Sequence, residues 1–163
     1  MKVPQIIQQK IYDLPGLLHQ LRRWKLLGKT MTFTNGCFDI LHPGHIASLS
    51  DAAREADYLV VGVNSDASTR RLKGPHRPVN NQDSRALLLA SLLMVDAVII
   101  FDEDTPLDLI NAVLPDVLVK GGDYTLEQIV GAKEVIAAGG KVVINPIVPG
   151  FSTTGLIEKI HKL

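Results

Sequence analysis

The sequence predicts a doubly wound α/β domain with an open parallel sheet, and three observations carry that expectation. Short apolar runs rich in Val and Ile recur at Thr30 to Phe33, Tyr58 to Val63, Asp96 to Phe101, Asp116 to Lys120 and Lys141 to Asn145. Near-continuous apolar runs of this length suit parallel strands covered on both faces. Stretches with helical periodicity separate them, and strand–helix–strand alternation of this kind makes right-handed crossovers. Polar or glycine-bearing turns close the strands at their C-terminal ends, the edge at which open α/β sheets bind ligands. The expected arrangement is Rossmann-like, with five parallel strands ordered 3-2-1-4-5.

Residues 1 to 12 mix Pro, Gln and Ile without a period, whereas Leu17, Leu18, Leu21, Trp24 and Leu27 fall at helical spacing over Leu14 to Leu27. Residues 1–28 therefore read as an N-terminal segment whose amphipathic helix packs on a domain of residues 29–163. Its stripe covers the sheet, or alternatively meets a second copy through Trp24.

The first strand breaks at Asn35-Gly36, where positive φ is allowed, and Pro43 fits the first turn of the helix that follows. A helix beginning just after His42 offers unpaired N–H groups and the positive end of its dipole, which together favour an anion. His42 and His45 are three apart, so both project from one side of the first turn and can converge on one group of oxygens. Ile46 to Ala56 continues as an amphipathic helix with Leu49, Ala52 and Ala53 inward. After the second strand, Asn64, Ser65 and Asp66 stand at the same sheet edge, and Asp66 either caps a short helix or meets a ligand.

Thr69 to Asn81 carries Arg70, Arg71, Lys73, His76 and Arg77 among Gly74, Pro75 and Pro78, with no apolar period. It reads as a mobile basic loop, either a solvated turn or a flap that closes over phosphates. A helix then starts at Asn81, apolar over Ala86 to Leu93. Arg85 in its first turns opposes the dipole and calls for an anion, either Asp83 or a substrate phosphate. After the helix Thr105 to Val113 and the fourth strand, Gly121 and Gly122 let a base or ribose approach the backbone, and Asp123 can accept from sugar hydroxyls. Leu126 to Ala138 is a helix stopped by Gly139-Gly140. Ser152, Thr153 and Thr154 open the last helix, Gly155 to His161, as N-caps and as a second anion site.

Composition bounds the rest. At 163 residues with 46% hydrophobic content, the chain fits one globular domain with a sizeable core. Seventeen basic and seventeen acidic residues cancel, which gives no bulk attraction to nucleic acid or to a membrane surface, so phosphate must be held locally. Cys37 is alone, which excludes an intrachain disulfide and a zinc cluster and fits a reducing cytoplasm. No apolar stretch approaches a membrane span.

The segment Asn35 to His45 reads NGCFDILHPGH and resembles the signature of the cytidylyltransferase-like nucleotidyltransferases, whose HxGH motif handles the α-phosphate of a nucleoside triphosphate. Val63 to Asp66, Arg77 to Val79, Lys120 to Tyr124 and Phe151 to Thr154 follow in the order seen in the D-glycero-β-D-manno-heptose 1-phosphate adenylyltransferases. The resemblance runs from about Thr30 to the C-terminus. It implies transfer of AMP from ATP to a sugar 1-phosphate, with Mg²⁺ held mainly by the nucleotide phosphates, and the sequence itself offers no carboxylate cluster with the spacing of a metal site. It implies His42, His45 and Lys73 as catalytic groups, with Arg70, Arg71 and Arg77 as competitors for the lysine's role. Thr34, Asn35, Gly36, Cys37, Phe38, Gly44, Gly121, Gly122, Asp123 and Ser152 to Thr154 would bind nucleotide. Asn64, Asp66, Arg77 and Arg85 would bind the acceptor. Related cytidylyltransferases carry an arginine shortly before the Ser-Thr-Thr motif, whereas this chain has Ile147 to Phe151. The alternatives are a cytidylyltransferase acting on glycerol 3-phosphate or a similar alcohol phosphate, and a non-catalytic nucleotide-binding module. A homodimer is a further expectation.

Overall fold

The computed structural model describes residues 4–162, so the expected domain limits at residues 1 and 163 lie outside the described residues. Its strands are β1 (Ile11–Tyr12), β2 (Met31–Gly36), β3 (Tyr58–Asn64), β4 (Ala97–Phe101), β5 (Val117–Gly121) and β6 (Lys141–Asn145). Its α-helices are α1 (Leu14–Leu26), α2 (Pro43–Ala53), α3 (Asp66–Lys73), α4 (Gln82–Ala90), α5 (Leu107–Val113), α6 (Ala132–Ala137) and α7 (Thr153–His161). The sheet order is β1-β4-β3-β2-β5-β6, and every pairing is parallel. From β2 onward this is the 3-2-1-4-5 order expected from the sequence. The sheet has six strands rather than five, because Ile11 and Tyr12 pair with Val98 and Ile99 at the edge. A two-residue strand is too short to show a period.

Each face of the sheet has its own core. On one face, Leu17 and Trp24 of α1, Leu109 and Ile110 of α5, and Ala132 and Val135 of α6 pack on Phe33, Val60 and Ile99. On the other, Leu49 and Ala52 of α2 and Ala86, Leu89 and Ala90 of α4 pack on Leu59, Val61, Val63 and Val98. Successive β3 residues thus serve opposite faces, as the two-residue period of a strand requires. Trp24 is 7% exposed and stacks on Tyr58 with ring centroids 4.0 Å apart. Such a pair contributes about 0.5–1.5 kcal/mol beyond area burial. Trp24 is therefore core and not a contact to a second copy.

The basic segment also differs from expectation, for its first part is α3. Ser65 caps it by accepting from Ser68 N at 2.9 Å. Its inward residues are Ser68 and Thr69, both fully buried. Ser68 Oγ accepts from Asn64 Nδ2 at 3.0 Å and donates to the Glu103 carbonyl at 3.0 Å. Small hydroxyl residues satisfied in this way pack against the sheet without leaving an apolar stripe to read. Among the described residues no helix is long and apolar enough to cross a membrane.

Candidate active site

The chain leaves β2 toward β3 and β4, and later enters β5 and β6 on the other side, so β2 and β5 flank the topological switch point. A cleft of about 720 Å³ opens there at the C-terminal ends of the strands.

His42 is the N-cap of α2 and its Nδ1 accepts from His45 N at 3.3 Å. With Nδ1 engaged as an acceptor, neutral His42 carries its proton on Nε2. The two imidazoles stack with centroids 3.8 Å apart and 18° between planes. Phe38, whose φ of 47° places it in the left-handed region, sets its ring edge-on to His45 at 5.3 Å. Phe151 faces His42 from the α7 side at 6.4 Å. Gly44 is what lets the three segments meet. A Cβ there would stand 3.1 Å from the His42 ring and 3.2 Å from Phe151 Cβ.

Burial lowers the pKa of His42. Burial lowers His45 to about 4, the neighbouring His42 pushes the same way, and the Ile40 carbonyl opposes weakly. Both rings are therefore uncharged donors near neutral pH. His45 Nδ1 is buried with no hydrogen-bond partner among the described residues.

Across the cleft Ser152 caps α7 by accepting from Gly155 N at 3.0 Å, and Thr153 Oγ1 donates to the Ile40 carbonyl at 3.4 Å. That second bond ties the start of α7 to the histidine turn. Two helix N-termini thus open on one space, each with the partial positive charge that suits phosphate oxygens.

Thr34, Asn35, Gly36, Cys37, Phe38, His42, Gly44, His45, Asn64, Lys73, Arg77, Gly121, Gly122 and Ser152 to Thr154 all line the cleft, together with Lys120 and Tyr124. Three expected residues do not line it. Asp123 is exposed beyond the rim. Arg85 is 1% exposed and lies behind the histidine turn, where it donates to the Cys37 carbonyl at 2.6 Å, the Asn80 carbonyl at 3.0 Å and Asp66 Oδ1 at 2.8 Å. Its anion is Asp66 rather than Asp83, so each of these two expected acceptor ligands is satisfied by the other. Of the competing cations, Arg71 pairs with Asp104 and Asp102, and Arg70 borders a separate groove beside Asp66.

Two residues at the site escaped the sequence reading. Asp39 is 2% exposed, and its Oδ1 accepts from Val79 N at 2.8 Å and Asn80 N at 3.0 Å while Oδ2 accepts from Arg77 Nε. It pins the segment after α3 to the histidine turn through Arg77, Val79 and Asn80. Lys120 ends the apolar part of β5, and burial lowers its pKa, with Cys37 opposing and Lys73 adding to the fall. A lysine closing an otherwise apolar strand at the ligand edge was the available signal.

The described residues hold no group of three or more His, Cys, Asp or Glu able to bind a metal ion.

Fold and site together define a doubly wound domain in which two capped helix starts open on one cleft at the switch point. A family model described as cytidylyltransferase-like matches residues 33–159. The chain belongs to that family, whose members are nucleotidyltransferases. The bifunctional protein HldE of Hyphomonas neptunium is 58% identical over 149 residues, 91% of this chain and 31% of that protein. HldE of Mesorhizobium japonicum is 54% identical over 158 residues, 97% of this chain and 32% of that protein. The chain spans about a third of the length of these curated relatives. A lipopolysaccharide core biosynthesis protein from Thermoplasma volcanium superposes with TM-score 0.60 at 32% identity, covering 74% of this chain and 98% of that one. Pantoate–β-alanine ligase from Francisella tularensis, solved with β-γ ATP and β-alanine, gives TM-score 0.58 at 16% identity over 94% of this chain and 78% of that one, a likeness of fold alone.

Proposed function

We propose that this domain transfers AMP from ATP to D-glycero-β-D-manno-heptose 1-phosphate, giving ADP-heptose and pyrophosphate for the lipopolysaccharide core. The observation that carries the reading is the stacked, uncharged His42–His45 pair at the start of α2, facing the capped start of α7 across one cleft. The 52–58% identity to HldE proteins and the likeness to a lipopolysaccharide core biosynthesis protein support the acceptor class.

A phosphate oxygen of the acceptor attacks the α-phosphorus in line, the bond to the bridging oxygen of the β-phosphate breaks, and pyrophosphate leaves. A phosphate monoester is already nucleophilic, so the work left to the protein is positioning and stabilisation of charge on the α-phosphoryl oxygens. His42, through Nε2–H, and His45 donate to those oxygens. Ser152, Thr153, Thr154 and the free N–H groups of α7 hold the β- and γ-phosphates, with Lys73 from α3 closing over them. Gly121, Gly122 and the Tyr124 ring offer a flat wall to the base, and Asn64 and Arg77 border the acceptor's end. Mg²⁺ would travel on the triphosphate, and no step here is routed through it.

A purine offers the larger stacking face to the glycine wall. A site that hydrogen-bonds the hydroxyls of a seven-carbon sugar rejects acceptors lacking them. The test is kcat/KM for ATP with the heptose 1-phosphate beside CTP with glycerol 3-phosphate. Faster turnover of the second pair would replace the proposal by a cytidylyltransferase.

A further inference from the structure

Transfer brings the phosphate of the acceptor against the α-phosphate of the nucleotide, which sets like charges within a few ångströms. A fixed cation must offset that repulsion in a site from which water is displaced. Besides the two histidines, the cleft is lined by three basic side chains, Lys73, Arg77 and Lys120. Arg77 is neutralised by Asp39, and the two histidines are uncharged. Neither Lys73 nor Lys120 forms an ion pair among the described residues.

The two lysines differ in mounting. Lys73 ends α3 and is exposed. Lys120 is half-buried on β5, two residues beyond Leu118, which pairs with Phe33 of β2. That register brings it level with Asn35, at the switch point itself. An ammonium withdrawn from water without a counter-charge is unfavourable, so its retention there is best explained by an anion that arrives with the ligand. The start of α7 already serves the triphosphate tail, the histidines serve the α-phosphate, and a nucleobase carries no charge.

We propose that Lys120 is the binding residue for the phosphate of the acceptor, held rigid by β5 at the point where the sheet reverses its order. The assignment rests on the transfer reading above for the identity of that acceptor. A charge-assisted contact of this kind predicts that Lys120→Met weakens binding of the heptose 1-phosphate roughly 10–100-fold while ATP affinity stays within about 2-fold. Lys120→Arg should recover part of the loss. Lys120→Met should melt no lower than wild type, because nothing in the protein loses a partner.

The experiment is calorimetric titration of wild type, K120M and K120R with the heptose 1-phosphate, with the unphosphorylated heptose and with ATP, beside a transfer assay on wild type. K120M should bind phosphorylated and unphosphorylated sugar nearly alike, whereas wild type should prefer the phosphate. Transfer by wild type together with unchanged acceptor affinity in K120M, or an equal loss of ATP affinity, overturns the role of Lys120 and leaves the transfer reading standing. Absence of both transfer and acceptor binding in wild type overturns the transfer reading, and with it the acceptor assigned to Lys120.

Discussion

Asp66 and Arg85, nineteen residues apart in sequence, meet at 2.8 Å behind the histidine turn, and the same guanidinium holds the Cys37 carbonyl at 2.6 Å. The pair is a brace for the strand-to-helix turn that carries His42 and His45. Removing the cation leaves a carboxylate and two carbonyls without their donor, a change that costs about 3–5 kcal/mol for a buried pair. Arg85→Ala should therefore lose about that much stability in urea unfolding. Arg85→Lys should recover little, since an ammonium cannot span three divergent acceptors. Loss of activity with unchanged stability would instead place Arg85 against substrate.

The histidines make the next prediction. His42→Ala and His45→Ala should each lower kcat by roughly 10²–10³ with little change in ATP affinity, as for donors used mainly in the transition state. Steady-state kinetics with a parallel ATP titration decides this, and near-normal turnover in either variant refutes the role.

His45 also links stability to pH. Its value of about 4 in the fold lies below its ordinary 6.5, so the unfolded chain takes up a proton first as pH falls. The stability this group contributes is complete above about pH 6.5 and is lost progressively down to about pH 4. Urea midpoints at pH 7.5 and pH 5 should separate less in His45→Gln than in wild type. An equal separation would show that burial of His45 does not set the difference.

Asp39 fastens the segment after α3 through the Val79 and Asn80 amides at 2.8 and 3.0 Å. Those two amides should be protected from hydrogen exchange in wild type and should exchange roughly 10-fold faster or more in Asp39→Ala, where each has lost a charged acceptor. Protection that survives the substitution would mean the segment is held by something else.

Much of this was legible in the sequence because continuous apolar runs report strands buried on both faces, and because a histidine pair beside Pro43 reports a helix start. The sheet order and the convergence of Ser152 to Thr154 with the HxGH turn follow from those signals. What was hidden had other causes. The packed side of α3 is Ser68 and Thr69, hydroxyls satisfied by Asn64 and Glu103, so burial there left no hydrophobic trace. Arg85 had Asp83 two positions away in sequence, yet adjacent helix positions do not face each other, and its true partner comes from another helix. Asp39 sat in plain view inside the motif, but its partners lie 38 to 41 residues downstream. Long-range polar contacts obey no period.

The short strand β1 adds nothing to the cleft, yet it decides how the domain behaves in a test tube. By pairing with Val98 and Ile99 it occupies the outer edge of β4. A chain trimmed to residues 33–159, the span of the family match, would keep His42, His45, Lys120 and Ser152 while leaving that edge raw and losing Leu17 and Trp24 from under the sheet. Unpaired edge groups above an uncovered apolar face are a template for other chains. The trimmed protein should precipitate, a failure of solubility that an assay would misread as absence of catalysis.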